Sequence, residues 1–148
     1  MENLISLRLN GYLGRNIESL DQLANLHRLT KLKIGLNVGE LTSAGQKMVI
    51  SRDGFPKLRA LSLNGLKSLK NIQLEKGAML ELNRLEITGC PFLESFPEEL
   101  RFMTNLKELK METTPQFASK YSHIISNIPS VELILSDEEL TEAKLTVA

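Results

Sequence analysis

One pattern constrains this chain more than any other. Leu-x-x-Leu-x-Leu, or a close aliphatic variant, recurs from end to end. It reads Leu4-Leu7-Leu9, Leu29-Leu32-Ile34, Leu58-Leu61-Leu63, Leu82-Leu85-Ile87, Leu106-Leu109-Met111 and, more weakly, Ile128-Val131-Leu133. Successive starts lie 25, 29, 24, 24 and 22 residues apart. A unit that short cannot enclose a core by itself, so it buries its apolar side against neighbouring units of the same kind. Residues two apart on an extended chain share a side, so each unit should supply one short strand with pairs such as Leu7 and Leu9 facing inward. The expected fold is α/β, a leucine-rich-repeat solenoid of about six units, with a parallel sheet on the concave face and short helices and loops on the convex face. The repeats occupy residues 1–136, and residues 137–148 form a tail or a short capping helix.

The return segments carry their own spacing. Ile17, Leu20, Leu23 and Leu26 in the first, and Leu93, Phe96, Leu100 and Met103 in the fourth, step by threes and fours as one face of a helix does. Pro97 with Glu98 and Glu99 suits a helix start, where a missing N–H costs nothing and acids meet the positive dipole end. The long second interval holds Gly35, Gly39, Gly45 and Gly54, so Asn37 to Pro56 reads as a surface loop with Met48-Val49-Ile50 tucked back. Ser136 and Glu139 have the spacing of a capping box before a last helix. The turn position after each strand, where such repeats place a small or hydrogen-bonding residue, holds Tyr12, Asn37, Leu66, Cys90, Thr114 and Ser136; Tyr12 and Leu66 depart from the pattern.

Chemistry is scarce. Lys and Arg number 18, matched by 18 Asp and Glu, so no excess of cations argues for nucleic acid. No apolar run approaches the roughly 18 residues of a membrane span. His27 and His123 sit in units too far apart to meet in a solenoid. The single Cys90 occupies a turn position and reads as structural. Met48, Met79, Met103 and Met111 read as gap-fillers of the core rather than as metal ligands. No enzyme, cofactor or metal is expected, and the lack of any Asn-x-Ser/Thr acceptor favours an intracellular, cytoplasmic chain.

The outward strand positions form three columns. The central one is Arg8, Lys33, Ser62, Glu86, Lys110 and Glu132. The flanks are Ser6, Lys31, Ala60, Arg84, Glu108 and Ser130, and Asn10, Gly35, Asn64, Thr88, Glu112 and Ile134. Glu86, Lys110 and Glu132 alternate in sign and can satisfy one another, which leaves open a purely self-paired surface in that half. Arg8, Lys31 and Lys33 have no acid opposite them. Either upstream repeats supply those acids or the patch awaits an acidic partner surface; on the second reading Arg8, Lys31, Lys33, Arg59 and Arg84 are the expected contact patch, with Glu86 and Lys110 beside it. The first unit begins without a polar cap, so self-association through that end is expected.

The stretch from Gly77 to Phe117, with Gly54 to Met79 and Asn127 to Leu133, resembles the C-terminal repeats of plant coiled-coil nucleotide-binding leucine-rich-repeat receptors, a family of disease-resistance proteins. The marks are Phe55-Pro56-Lys57-Leu58, Gly77-Ala78-Met79, Gly89-Cys90-Pro91, Phe96-Pro97 and Ile128-Pro129-Ser130-Val131, in order and at fitting intervals over about Leu4 to Leu135. The resemblance implies protein recognition in innate immunity, with a pathogen effector or the receptor's own switch domain as partner. Such receptors also carry a nucleotide-binding switch. No G-x-x-x-x-G-K-[ST] occurs here, so the likeness is to the sensing end alone or to a truncated relative. Two other readings are the substrate-binding arm of a ubiquitin-ligase receptor and a repeat fragment without a function of its own.

Overall fold

Each Leu-x-x-Leu-x-Leu unit contributes one strand to a single parallel sheet in the computed structural model, which describes residues 5–10, 27–35, 47–66 and 69–135 (the side chains of 8–10 and 47 excepted). The strands of the described residues are β1 (Ser6–Asn10), β2 (Lys31–Gly35), β3 (Lys47–Ile50), β4 (Ala60–Asn64), β5 (Asn71–Leu74), β6 (Arg84–Thr88), β7 (Glu108–Thr113) and β8 (Ser130–Leu135). Six of them form the main sheet in the order β1-β2-β4-β6-β7-β8. The register aligns Leu7, Leu32, Leu61, Leu85, Leu109 and Val131 as one row, and Leu9, Ile34, Leu63, Ile87, Met111 and Leu133 as the next. Leu32, Ile34, Leu61, Leu63, Leu85, Ile87, Leu109 and Met111 are buried in one continuous core. The outermost unit, weakest in sequence, still pairs with β7 over six residues.

A backbone rail holds the start of each strand. The carbonyl of Ile5 accepts from the N–H groups of Thr30 and Lys31, Thr30 from Arg59 and Ala60, Arg59 from Asn83 and Arg84, and Asn83 from Lys107 and Glu108, at 2.7–3.2 Å. Lys107 accepts from Ser130 alone, since Pro129 has no N–H to give. Every unit is thus tied to the next by main-chain groups.

The opposite side of the core departs from expectation. The segment 47–56, read as surface loop, begins with β3, which pairs in parallel with β5 as a separate two-stranded sheet. Met48 and Ile50 point inward and are buried, as are Ile72 and Leu74 of the partner strand. The inward tuck expected of this segment is present, but as a paired strand and not as part of a loop. The stripe Leu93, Phe96, Leu100 and Met103 does pack inward, but not on an α-helix. Between Pro91 and Pro97 the chain is irregular, and only a five-residue 3-10 turn, Glu98–Phe102, follows with Pro97 at its extended N-cap. Prolines at both ends deny the run the N–H groups a longer helix needs.

Two short helices close this side near the last strands: α1 (Pro115–Lys120) and α2 (Ser122–Ile125). The Thr114 hydroxyl caps α1 by accepting from the Phe117 N–H at 3.2 Å. Phe117 and Tyr121 then stack against Phe96, with ring centroids 4.8–6.1 Å apart. Met48, Met79, Met103 and Met111 are all buried, in keeping with a gap-filling role. Among the turn positions, Leu66 is fully buried, and Cys90 directs its thiol to the Thr88 carbonyl at 3.5 Å. Tyr12, Asn37, Ser136, the first return stripe and the tail from 137 lie outside the described residues. Among the described residues no helix is long and apolar enough to cross a membrane.

Candidate interaction face

The outward columns assemble as the strand pattern requires. Lys31 pairs in register with Ala60, Ala60 with Arg84, and Arg84 with Glu108; Lys33 stands beside Ser62, Ser62 beside Glu86, and Glu86 beside Lys110. Arg8 is aligned with Lys33 by its backbone, its side chain lying outside the described set. The sheet thus presents a polar surface opposite its apolar one.

Its charges divide unevenly. Arg84 is pinned between two carboxylates, Glu108 at 3.0 Å and Glu86 at 3.5 Å. The hydrogen bond to Glu108 leads the interactions that hold its guanidinium even more firmly protonated than usual. Arg84, expected in the contact patch, thus has its charge answered from within the sheet. Lys110 lies 4.0 Å from Glu132, as alternation of sign suggested. Glu86 turns instead to Arg84 and to the Ser62 hydroxyl, which donates to it at 3.1 Å; Lys110 is not its partner. Arg59 is another residue of the expected patch. It sits in the turn before β4, exposed at the rim of the sheet and in no column, where its carbonyl belongs to the rail. Lys31 and Lys33 are exposed on β2, and no carboxylate of the described residues lies within ion-pair distance of either.

Beyond this face the structure brings together one pair that the sequence reading did not link. His123 on α2 meets Glu98 of the 3-10 turn, its Nε2 2.9 Å and 3.1 Å from the two carboxylate oxygens. Both groups are exposed, and the pair bridges two consecutive return segments. His27 is exposed. Among the described residues no three His, Cys, Asp or Glu gather as metal ligands would. A cleft of about 320 Å³ between the turns after β6 and β7 is lined by Cys90, Phe92, Met111, Thr113 and Phe117 among others. Cys90 does not make it reactive. Burial, which disfavours the thiolate, pushes the thiol up to about 11; Glu112 adds to this and a Leu66 backbone hydrogen bond partly opposes it. In the native protein at neutral pH, Cys90 should therefore react with iodoacetamide far more slowly than a free thiol and at the ordinary rate once unfolded. Rapid labelling of the folded chain would contradict the buried placement. Because the folded thiol's pKa is raised above the ordinary 9.0, its contribution to stability is complete below pH 9 and falls away as pH rises through about 11.

The strand-per-unit construction and polar sheet face define the class first: an α/β protein built on a parallel sheet with one apolar and one polar face. In sequence the chain is a relative of plant disease-resistance proteins. It is 32% identical over 127 residues to disease resistance RPP8-like protein 3 of Arabidopsis thaliana, a match covering 82% of this chain and 14% of that protein. It is 38% identical over 117 residues to the probable disease resistance protein RF45 of the same plant, covering 76% and 11%. Disease resistance protein RPH8A, also from Arabidopsis thaliana, matches at 30% over 136 residues, covering 86% and 14%. The chain thus spans only a small part of the length of these relatives. No family model and no solved structure matches it.

Proposed function

We propose that the chain is the leucine-rich-repeat recognition region of an intracellular plant immune receptor of the coiled-coil nucleotide-binding type. In this reading it is not catalytic, acts in the cytoplasm, and binds a pathogen effector, the receptor's own switch domain, or each in turn. One observation carries the reading: six units place their outward residues in unbroken register on a polar sheet, and the chain that builds it is related to disease-resistance proteins. Side chains on adjacent strands sit about 4.8 Å apart, so a column is a continuous surface that can be rewritten residue by residue without touching the core.

The test is affinity capture with the immobilised chain, offered a separately expressed nucleotide-binding switch domain of such a receptor and an extract of infected leaf. Retention of the switch domain or of a pathogen protein, competed by soluble chain, is the expected result. Retention of ubiquitin-ligase adaptors in their place would move the function to substrate selection for degradation. Retention of neither would mark a fragment without a binding role.

A further inference from the structure

The six strands are polarised along the sheet. β1, β2 and β4 together carry Arg8, Lys31 and Lys33 and no acidic residue at all. β6, β7 and β8 carry Glu86, Glu108, Glu112 and Glu132 against Arg84 and Lys110. In that second half both cations are consumed by neighbouring carboxylates, leaving the acids in surplus. The boundary runs along β4. There Ser62 is nearly buried, accepts from the Asn64 amide at 2.9 Å and donates to Glu86, and no cation of β4 stands between the two halves. Only the first half presents cations whose charge the described sheet leaves unanswered.

We propose that this half, Lys31 and Lys33 with Arg59 at its rim, binds an extended acidic segment of a partner protein. The inference rests on the recognition reading above and names the chemistry of its partner. Lys31 and Lys33 are two residues apart on one strand, so their side chains leave the same face separated by roughly 6.6–6.8 Å. An extended peptide with carboxylates at alternate residues repeats at the same distance and can meet both. Arg59 immediately precedes Ala60, the register partner of Lys31, and places a third exposed cation at one end of the pair. The acid surplus over β6 to β8 repels the same segment, which confines it to β2 and β4 and selects its position.

Fluorescence anisotropy on the intact chain decides the matter. The probe is a labelled peptide of alternating Glu and Ser, and its counterpart alternates Lys and Ser. The Glu/Ser peptide should bind at low ionic strength, and binding should weaken as salt is added. Lys31→Glu/Lys33→Glu should weaken it by about tenfold or more, while Lys76→Glu/Lys107→Glu, the same change in net charge at exposed positions elsewhere, should alter it by less than about twofold. Absence of binding to the wild-type chain, equal binding of the Lys/Ser peptide, or equal losses in the two variants would overturn the proposal. Should the double reversal fail to fold, Lys31→Gln/Lys33→Gln reads the same interaction. A switch domain retained in the capture experiment by a chain that ignores the acidic peptide would defeat this inference alone and leave the recognition reading standing.

Discussion

Replacing Phe117 by Ala should lower the free energy of unfolding by about 3–5 kcal/mol, the range for removing a buried aromatic ring. The ring is 9% exposed and stands between Phe96 and Tyr121 at 6.0 and 4.8 Å, so it joins the return segment of one unit to the helices of the next. Truncation would leave a void that neither neighbour can fill without leaving the other. The edge-to-face contact with Phe96 adds about 0.5–1.5 kcal/mol beyond the area buried. The chain has no Trp and two Tyr, so tyrosine emission during urea unfolding reports on Tyr121 once Tyr12 is replaced by Phe. Thr114→Ala, which removes only the hydroxyl that caps α1, should cost about 1 kcal/mol. A Phe117→Ala loss no larger than that of Thr114→Ala would show that the three rings do not act as one packed unit.

Gly89→Ala should cost about 2–3 kcal/mol, an effect unusual for so small a change. Gly89 has φ +65 and Gly65, in the preceding unit, φ +72. The two turns lie so close that a β-carbon at position 89 would sit 3.0 Å from the Gly65 nitrogen and 3.1 Å from its α-carbon. These are backbone atoms already committed, since the Gly65 N–H donates to the Thr88 carbonyl at 2.9 Å. An alanine must therefore bear the left-handed conformation and also push one unit away from another. The Gly89 N–H itself donates to the Glu112 carboxylate at 2.8 Å. Glu112→Gln keeps an acceptor there and should cost no more than about 1 kcal/mol. Circular dichroism melts of the two variants compare them; near-equal midpoints would mean that the close approach of the turns is not a constraint.

The strands were legible because two demands agreed at every unit. Alternation fixed which residues face inward, and repetition fixed which residues become neighbours, so the columns could be written before any coordinates. The return segments were not legible in the same way. A spacing of three and four from Leu93 to Met103 suits a helix, but it equally suits an irregular chain that touches the core every turn, and Pro91 and Pro97 decide for the latter. The pairing of β3 is not visible in the repeat because its partner, Asn71–Leu74, lies outside the Leu-x-x-Leu-x-Leu frame. The face was half legible. Arg84 and Glu108 stand next to each other in one column, and that adjacency alone implies that Arg84 is already engaged. Lys31 and Lys33, whose columns offer no acid nearby, kept the character the sequence assigned them.

The rail of carbonyls from Ile5 to Lys107 has a bearing on how such a chain can change over generations. It counts units and not residues: starts separated by 25, 29, 24, 24 and 22 positions all arrive at the same pair of N–H groups, or at one where proline intervenes. Insertions and deletions between strands are thereby absorbed on the far side of the core and never propagate as a slip across the sheet. Because the link is made by the peptide group, the side chain at each of its positions (Ile, Thr, Arg, Asn and Lys here) is unconstrained by the link itself. Lengthening a loop or exchanging a whole unit by recombination then alters what the surface displays while leaving the alignment of every other strand intact.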